Sequence, residues 1–487
     1  MHRHTSATRR GLLLWTVPFL WTLAFGLWGL SRHASVWRDE AATWQVALRP
    51  TAEIWRMLGN VDAVHGLYYL LMHGLFEVFG PGTSTLRLPS VLAVAVAAGC
   101  VAQLGRRLAG FRAGLGAGLA LALLPAVQFY LQEGRPYALV AAGAALSTLL
   151  LVSLAGEAAG VRRSWPRWVA YGLAVLVCAL LNWLSLLVLP AHAATLWWVR
   201  AGRGVWLRWA AYGAGAVAGA LPLILFSRGQ SGQVSWIPAL TWHMLIGPAI
   251  LLAVGGLCAW ADRPARGRLS VAAVGLPLLA VPQLGLIGLS LVQPLFLDRY
   301  VLFSMVGLAL LIGGALGAAA RALAPRFPRA SRVLVPAVVG VAALALLPVE
   351  VSKRAPSSRV DDVLAAAGQV AGLKRAGDAV VFVPAARRDT ALVSPGAFTG
   401  LTDLALARTP VESGTLKGEE SEPARIREAL LGRRRVLLVT DAAGVAKPPS
   451  AERDKVKTQV LRERFTVVED RQVRGRRVTV YERREAR

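Results

Sequence analysis

The chain has 487 residues and a mean hydropathy of +0.50, with 55% hydrophobic and only 17% charged residues. Soluble globular proteins carry about 25% charged residues, so that class is excluded and a polytopic α-helical membrane protein is implied. The formal net charge of +26 would suggest nucleic acid in a soluble chain, but much of it is arginine in short loops between apolar runs, which reads as membrane orientation with no nucleic-acid partner.

Arg3, Arg9 and Arg10 precede the first apolar segment, 11–30. That segment is long for a signal-peptide core and no A-x-A site closes it, so an uncleaved signal anchor is expected. Trp37-Arg38-Asp39-Glu40 follows at once. Two adjacent carboxylates thus stand where the chain leaves the bilayer, and charge at the edge of hydrocarbon usually has a partner or a task. The next apolar stretch, His65 to Phe79, contains His65, His73 and Glu77. At about 15 residues it fits a helix lying in the interface better than one crossing it. Further spans are expected near 87–105, 113–131, 137–156, 168–184, 185–200, 206–226, 243–261, 269–292, 301–320 and 333–350. The total is about eleven. The pair within 168–200 is short and must turn around Asn182-Trp183. Cys100, Cys178 and Cys258 lie in apolar runs and read as small core residues.

The positive-inside rule fixes the expected sidedness. If 65–79 does not cross, Arg106, Arg107 and Arg112 share the side of the N-terminal arginines. So do Arg162, Arg163 and Arg167; Arg200, Arg203 and Arg208; Arg263, Arg266 and Arg268; and Arg321, Arg326, Arg329 and Arg332. The outer face then holds a long first loop (31–86), the turn Gln132-Glu133-Gly134-Arg135-Pro136-Tyr137, the loop Gln230 to Trp242, and Gln293 to Tyr300. Acidic and histidine candidates gather on that face, as a reaction site at one membrane surface requires.

A more polar tail follows. Helices are expected at 361–374, 423–431 and 451–465, strands at 379–384 and 435–441, and a terminal hairpin at 466–481. Apolar strands alternating with helices predict a small α/β layer. Asp441, at a strand end, reads as a turn or cap residue. The expected division is a transmembrane domain, 1–351, with interfacial helices in its first outer loop, 31–86, and an extracytoplasmic α/β domain, 352–487.

Several motifs recur as an ordered set. They are Asp39-Glu40 after the first span, His65-x-x-Tyr68-Tyr69, Arg87-Leu88-Pro89-Ser90, Gln132-Glu133-x-Arg135-x-Tyr137, Val234-Ser235-Trp236-Ile237-Pro238 and Arg299-Tyr300. Over roughly residues 10–350 the set resembles family 39 glycosyltransferases, multispanning GT-C enzymes related to the protein O-mannosyltransferases. Relatives commonly carry two prolines after the His65 position, where this chain has Gly66-Leu67. The resemblance implies a plasma-membrane, cell-envelope enzyme. It would move a sugar, mannose by family association, from a polyprenyl-phosphate donor to an extracytoplasmic protein, lipid or glycan acceptor with inversion.

Displacing a sugar from a lipid phosphate releases a stable anion, so a protonating acid is less needed than in glycoside hydrolysis. One carboxylate can deprotonate the acceptor while cations hold the phosphate. Asp39 is the expected base with Glu40 beside it, and Arg135 and Arg299 the expected phosphate holders, since guanidinium pairs bidentately with phosphate. Arg38, His65, Tyr68, Gln132, Glu133, Tyr137 and Tyr300 complete the expected substrate contacts. Other uses remain open. Arg135 can snorkel at the interface, Arg299 can pair with Asp298, and Glu40 can orient Asp39, bind a divalent ion or cap its helix. No cofactor is assigned, and His65 with Glu40 or Glu133 is an option for a divalent metal. The aromatics Trp37, Trp44, Tyr68, Tyr69, Trp236 and Tyr300 suit an interfacial belt. Gln128, Asn182, His192 and Gln283 suit helix–helix hydrogen bonding. The rival functions are a transporter or flippase of lipid-linked sugars and a non-catalytic membrane scaffold. The first favours mid-span ionisable groups and related halves, neither of which the sequence offers.

Overall fold

The computed structural model describes residues 2–156, 164–230, 232, 236–262 and 267–484, with side chains from residue 11 onward. Arg162, Arg163, Arg263 and Arg266 of the expected basic loops lie outside the described residues, as do the side chains of Arg3, Arg9 and Arg10. The chain separates into two units: 1–30 with 87–353, and 31–86 with 354–487.

Among the described residues, the regular structure of the first unit is helical. Over the described residues, eight helices are long and apolar enough to cross a membrane. They match expected spans, beginning at Gly11, Thr83, Tyr137, Arg203, Trp242, Val271, Asp298 and Pro328. The other three expected spans are shorter or broken. Residues 113–131 form Phe111–Leu121 and Pro125–Tyr130, separated at Leu124, whose ψ of 124° is the extended geometry a following proline imposes. Residues 168–200 form Trp165–Leu181 and then Trp183–Leu187 and Val188–Trp198, turning at an extended Asn182 whose Oδ1 accepts from the Leu184 N–H. Leu257, Trp260, Val341 and Leu344 are largely exposed on this unit, as lipid-facing side chains are.

Between these helices the packing relies on small residues. A Cβ added at Gly313 would overlap the backbone of Ala113 and Ala117, and one at Gly317 would meet Ala113. Gly313 and Gly317 therefore seat a small-residue stripe of Met305–Leu323 on the matching stripe of Phe111–Leu121. Buried polar side chains join helices as expected: His192 lies 3.0 Å from Thr148 Oγ1 and 2.9 Å from the Tyr171 hydroxyl, and Gln283 donates to Ser304 at 3.0 Å.

The second unit is built on a five-stranded sheet. Its strands are β1 (Ala379–Val383), β2 (Thr402–Asp403), β5 (Arg435–Asp441), β6 (Phe465–Val473) and β7 (Arg476–Arg483), in the order β2-β1-β5-β7-β6. β1 runs parallel to β2 and β5, while β7 is antiparallel to both β5 and β6. A small two-stranded ribbon, β3 (Leu406–Arg408) with β4 (Glu419–Glu420), stands apart. Alternation divides the core between the two faces. Val381, Val383, Val436 and Leu438 pack with Ile426, Leu430, Val460 and Leu461 of the helices Pro423–Leu431 and Glu452–Arg464. Val380, Phe382, Leu437, Val439, Val478 and Val480 pack with Ala367 and Val370 of Val363–Leu373. A sheet covered on both faces explains why β1 and β5 read as continuous apolar runs.

The loop 31–86 groups with this sheet domain because its apolar residues find partners there. Val36 and Ala41 pack with Val363 and Val393. Val46, Ile54, Met57, Leu58 and Tyr69 form a cluster that also engages Leu416. The helix Gly66–Phe79 has 14 residues, about 21 Å at 1.5 Å per residue, well short of a bilayer core of about 30 Å.

Candidate active site

The carboxylate pair is carried by a backbone held from both sides. Arg32, His33 and Ala34 adopt left-handed φ values of 47°, 52° and 58°. Each such non-glycine residue costs about 1–2 kcal/mol, so the turn persists because its surroundings impose it. The Arg32 guanidinium is buried and lies 3.8 Å from the buried Glu40 carboxylate. The chain then extends through Val36, whose carbonyl accepts from the Val363 N–H at 2.7 Å. The helix Arg38–Ala47 starts with Trp37 as its N-cap and places Asp39 and Glu40 in its first turn, where the helix dipole favours negative charge. Asp39 is half-buried and Glu40 fully buried, so two adjacent acids occupy different surroundings.

Arg38 faces the tail. Its backbone N–H donates to Asp361 Oδ1 at 3.0 Å and its Nε to Asp361 Oδ2 at 2.8 Å, while Nη2 reaches Asp441 at 3.2 Å. Asp441, expected as a turn or cap residue, is instead an ion-pair partner, also taking Arg387 through two bonds of 2.6 and 2.8 Å. Asp361 is shared with the buried Arg476, at 2.9 Å, and Arg476 in turn grips Asp389 at 2.9 and 2.8 Å. Burial raises the Asp361 carboxyl, but Arg476 and Arg38 outweigh it and hold the group below the usual carboxylate range.

His65 and Tyr68 stand at the start of Gly66–Phe79. The carboxylate beside His65 is Asp62, with Nδ1 to Oδ1 at 3.6 Å, and Asp62 also accepts from the Tyr69 hydroxyl at 2.6 Å. Tyr68 is fully buried. Among the described residues, no group of three or more His, Cys, Asp or Glu side chains is placed to hold a metal ion.

The remaining candidates belong to the helical unit. Gln132 donates to the carbonyls of Gly26 at 2.9 Å and Trp28 at 2.6 Å, satisfying acceptors that the first helix leaves open at its C-terminal end. Arg87 donates to the Leu30 carbonyl, in the turn after that helix, at 2.9 Å. Ser90 donates to the Glu133 carbonyl at 2.6 Å, so two motifs distant in sequence meet. Glu133, Arg135 and Tyr137 are buried in the turn that follows, and the Arg135 N–H donates to the Glu133 carbonyl at 2.9 Å. The Arg299 guanidinium lies 5.8 Å from the ring centres of Tyr137 and Trp236 and 5.9 Å from that of Tyr300. Asp298 accepts instead from the Tyr130 hydroxyl at 2.9 Å and from Arg299's backbone N–H at 2.8 Å. Trp236 and Tyr300, expected in the interfacial belt, and Tyr137, expected as a substrate contact, thus surround one cation, while Tyr130, which carried no signal in the sequence, lies beside Tyr137 and holds Asp298. Val234 and Ser235 of the expected loop lie outside the described residues.

The fold, a helical unit with eight candidate membrane spans and a C-terminal sheet domain, is similar to that of GT-C membrane enzymes. ArnT from Cupriavidus metallidurans bound to undecaprenyl phosphate is similar at a TM-score of 0.62 and 16% identity, over 96% of this chain and 98% of that one. Its apo form gives 0.59 and 15%, over 90% and 95%. The apo oligosaccharyltransferase of Archaeoglobus fulgidus gives 0.54 and 10%, over 88% of this chain and 69% of the other. No family model and no curated protein matches the sequence.

Proposed function

We propose that the protein is a membrane glycosyltransferase that moves a sugar from a polyprenyl-phosphate donor onto an acceptor hydroxyl on the extracytoplasmic side, with inversion. The observation that carries this reading is the fold likeness, through nearly the whole of both chains, to ArnT, which has been solved with undecaprenyl phosphate. Support comes from the carboxylate pair at the head of Arg38–Ala47 and from a guanidinium ringed by aromatics at Arg299. Mannose as the sugar, family 39 membership and the plasma membrane rest on the sequence resemblance, and the extracytoplasmic face on the distribution of the basic loops.

In the proposed reaction the acceptor oxygen attacks the anomeric carbon, the bond from that carbon to the phosphate oxygen breaks, and polyprenyl phosphate leaves with the electron pair. Asp39 takes the acceptor's proton as general base. Glu40, buried beside Arg32, positions the helix turn that carries Asp39. Arg135 and Arg299 hold the phosphate as its charge grows, Tyr137 and Tyr300 flank Arg299, and Gln132 and Glu133 shape the turn that presents Arg135. His65 and Tyr68 border the acceptor. Arg38, doubly held by Asp361 and Asp441, acts through position.

Asp39→Asn tests the reading. In membranes given labelled polyprenyl-phosphate sugar, transfer should fall about 10²–10⁴-fold while the variant keeps its thermal stability. Near-normal transfer by a folded variant removes Asp39 from the role.

A further inference from the structure

The second unit contains a cavity of about 600 Å³ that none of the proposed transfer chemistry uses. That volume falls in the range of small-molecule pockets. It opens between the turn joining Arg38–Ala47 to Thr51–Asn60 and one face of the sheet. Leu48, Phe382, Leu392, Phe398, Leu401 and Val411 supply an apolar wall.

Two arginines line it, in opposite conditions. Arg388 is spent: it donates to Asp403 at 2.6 Å, to Glu420 at 2.9 Å and to the Lys417 carbonyl at 2.7 Å. Arg49 is not. It is only 7% exposed, and among the described residues its Nη1 is buried without a hydrogen-bond partner. Burial pushes this guanidinium below its ordinary value, and Glu53 and Tyr69 restore it only in part. Glu53 lines the same rim, yet among the described residues no hydrogen bond or ion pair joins it to Arg49. A buried guanidinium with one nitrogen left unsatisfied beside an apolar wall is costly to maintain, and an anion arriving with apolar bulk relieves both conditions at once.

We propose that this cavity binds a small amphipathic anion, its phosphate or carboxylate on Arg49 and its apolar part against Phe382, Phe398 and Leu401. The site is independent of the transfer reading and stands or falls without it. Glu53 acts against the ligand's charge and keeps the affinity moderate.

Hexyl phosphate is the probe, measured by calorimetry on the full chain in phosphatidylcholine nanodiscs, with inorganic phosphate and hexanol as controls. Hexyl phosphate should bind at least 10-fold more tightly than either control. Arg49→Gln should weaken it at least 10-fold, Arg49→Lys should recover part of the loss, and Glu53→Gln should tighten it. Should Arg49→Gln fail to fold, Ala391→Phe fills the cavity from the opposite wall and should abolish binding. Adding phosphatidic acid to the nanodisc separates sources: competition identifies a bilayer lipid and its absence a soluble anion, and either upholds the site. No binding of hexyl phosphate, equal binding by Arg49→Gln or by Ala391→Phe, or equal binding of inorganic phosphate overturns it.

Discussion

Arg476 is wholly out of water, with Asp389 bidentate on one side and Asp361 on the other. Asp389, Asp361 and the nearby Asp441 raise its guanidinium above the usual value despite burial. Removing one member of a buried ion pair strands the others in a low dielectric. Arg476→Met should therefore cost about 3–5 kcal/mol of stability, read by denaturant unfolding of the full chain. Asp361 gives the same network a pH signature. Its folded value is depressed, so its contribution is complete above the unfolded carboxylate value of about 3.9 and is lost as pH falls through the lower folded value. Acid titration followed by tryptophan fluorescence should show loosening only below about pH 4, and Asp361→Asn should flatten that response. Neither residue announced this role in the sequence, since Arg476 and Asp361 are 115 positions apart and each alone resembles a solvated charge.

At the scale of elements, Met305–Leu323 and Phe111–Leu121 approach through Gly313 and Gly317 against Ala113 and Ala117. Lipid offers no hydrophobic force between helices, so close backbone approach is what holds them together. Gly313→Leu should abolish the folded protein in detergent, seen as aggregation on size exclusion, while Gly340→Leu, where an added Cβ meets nothing within 4 Å, should leave it monodisperse. The four-residue spacing of small side chains was present in the sequence, but with 48 glycines in the chain it did not stand out. Elements with strong local signals were legible. Pro423–Leu431 and Arg435–Asp441 fall where proline, apolar periodicity and a continuous Val/Leu run put them. β2, β3 and β4 were not, because strands of two or three residues are too short to show alternation. The aromatic surround of Arg299 was legible only in part: Tyr137, Trp236 and Tyr300 stood out as rings, while their common neighbour depends on tertiary approach.

Across the whole molecule, the two units keep their cores by different physics. One relies on helix contacts between small residues, with apolar surface turned outward; the other is a sheet covered on both faces and threaded with buried ion pairs. Sidedness is the property that the proposed chemistry most needs. A cysteine introduced into the loop after Gly105, in a chain otherwise free of cysteine, should react with impermeant thiol reagents only from the cytoplasm. Labelling from outside would put the Gln132–Tyr137 turn on the wrong face.

The grip of Asp361 and Asp441 on Arg38 bears on anyone who edits this gene. A product cut after residue 351 would look like a tidy catalytic core shorn of an accessory, yet it would lose the anchors for the proposed base's own helix. Chimeras that trade tails among relatives should carry the matching 31–86 segment with them, or sacrifice turnover without touching one reacting group.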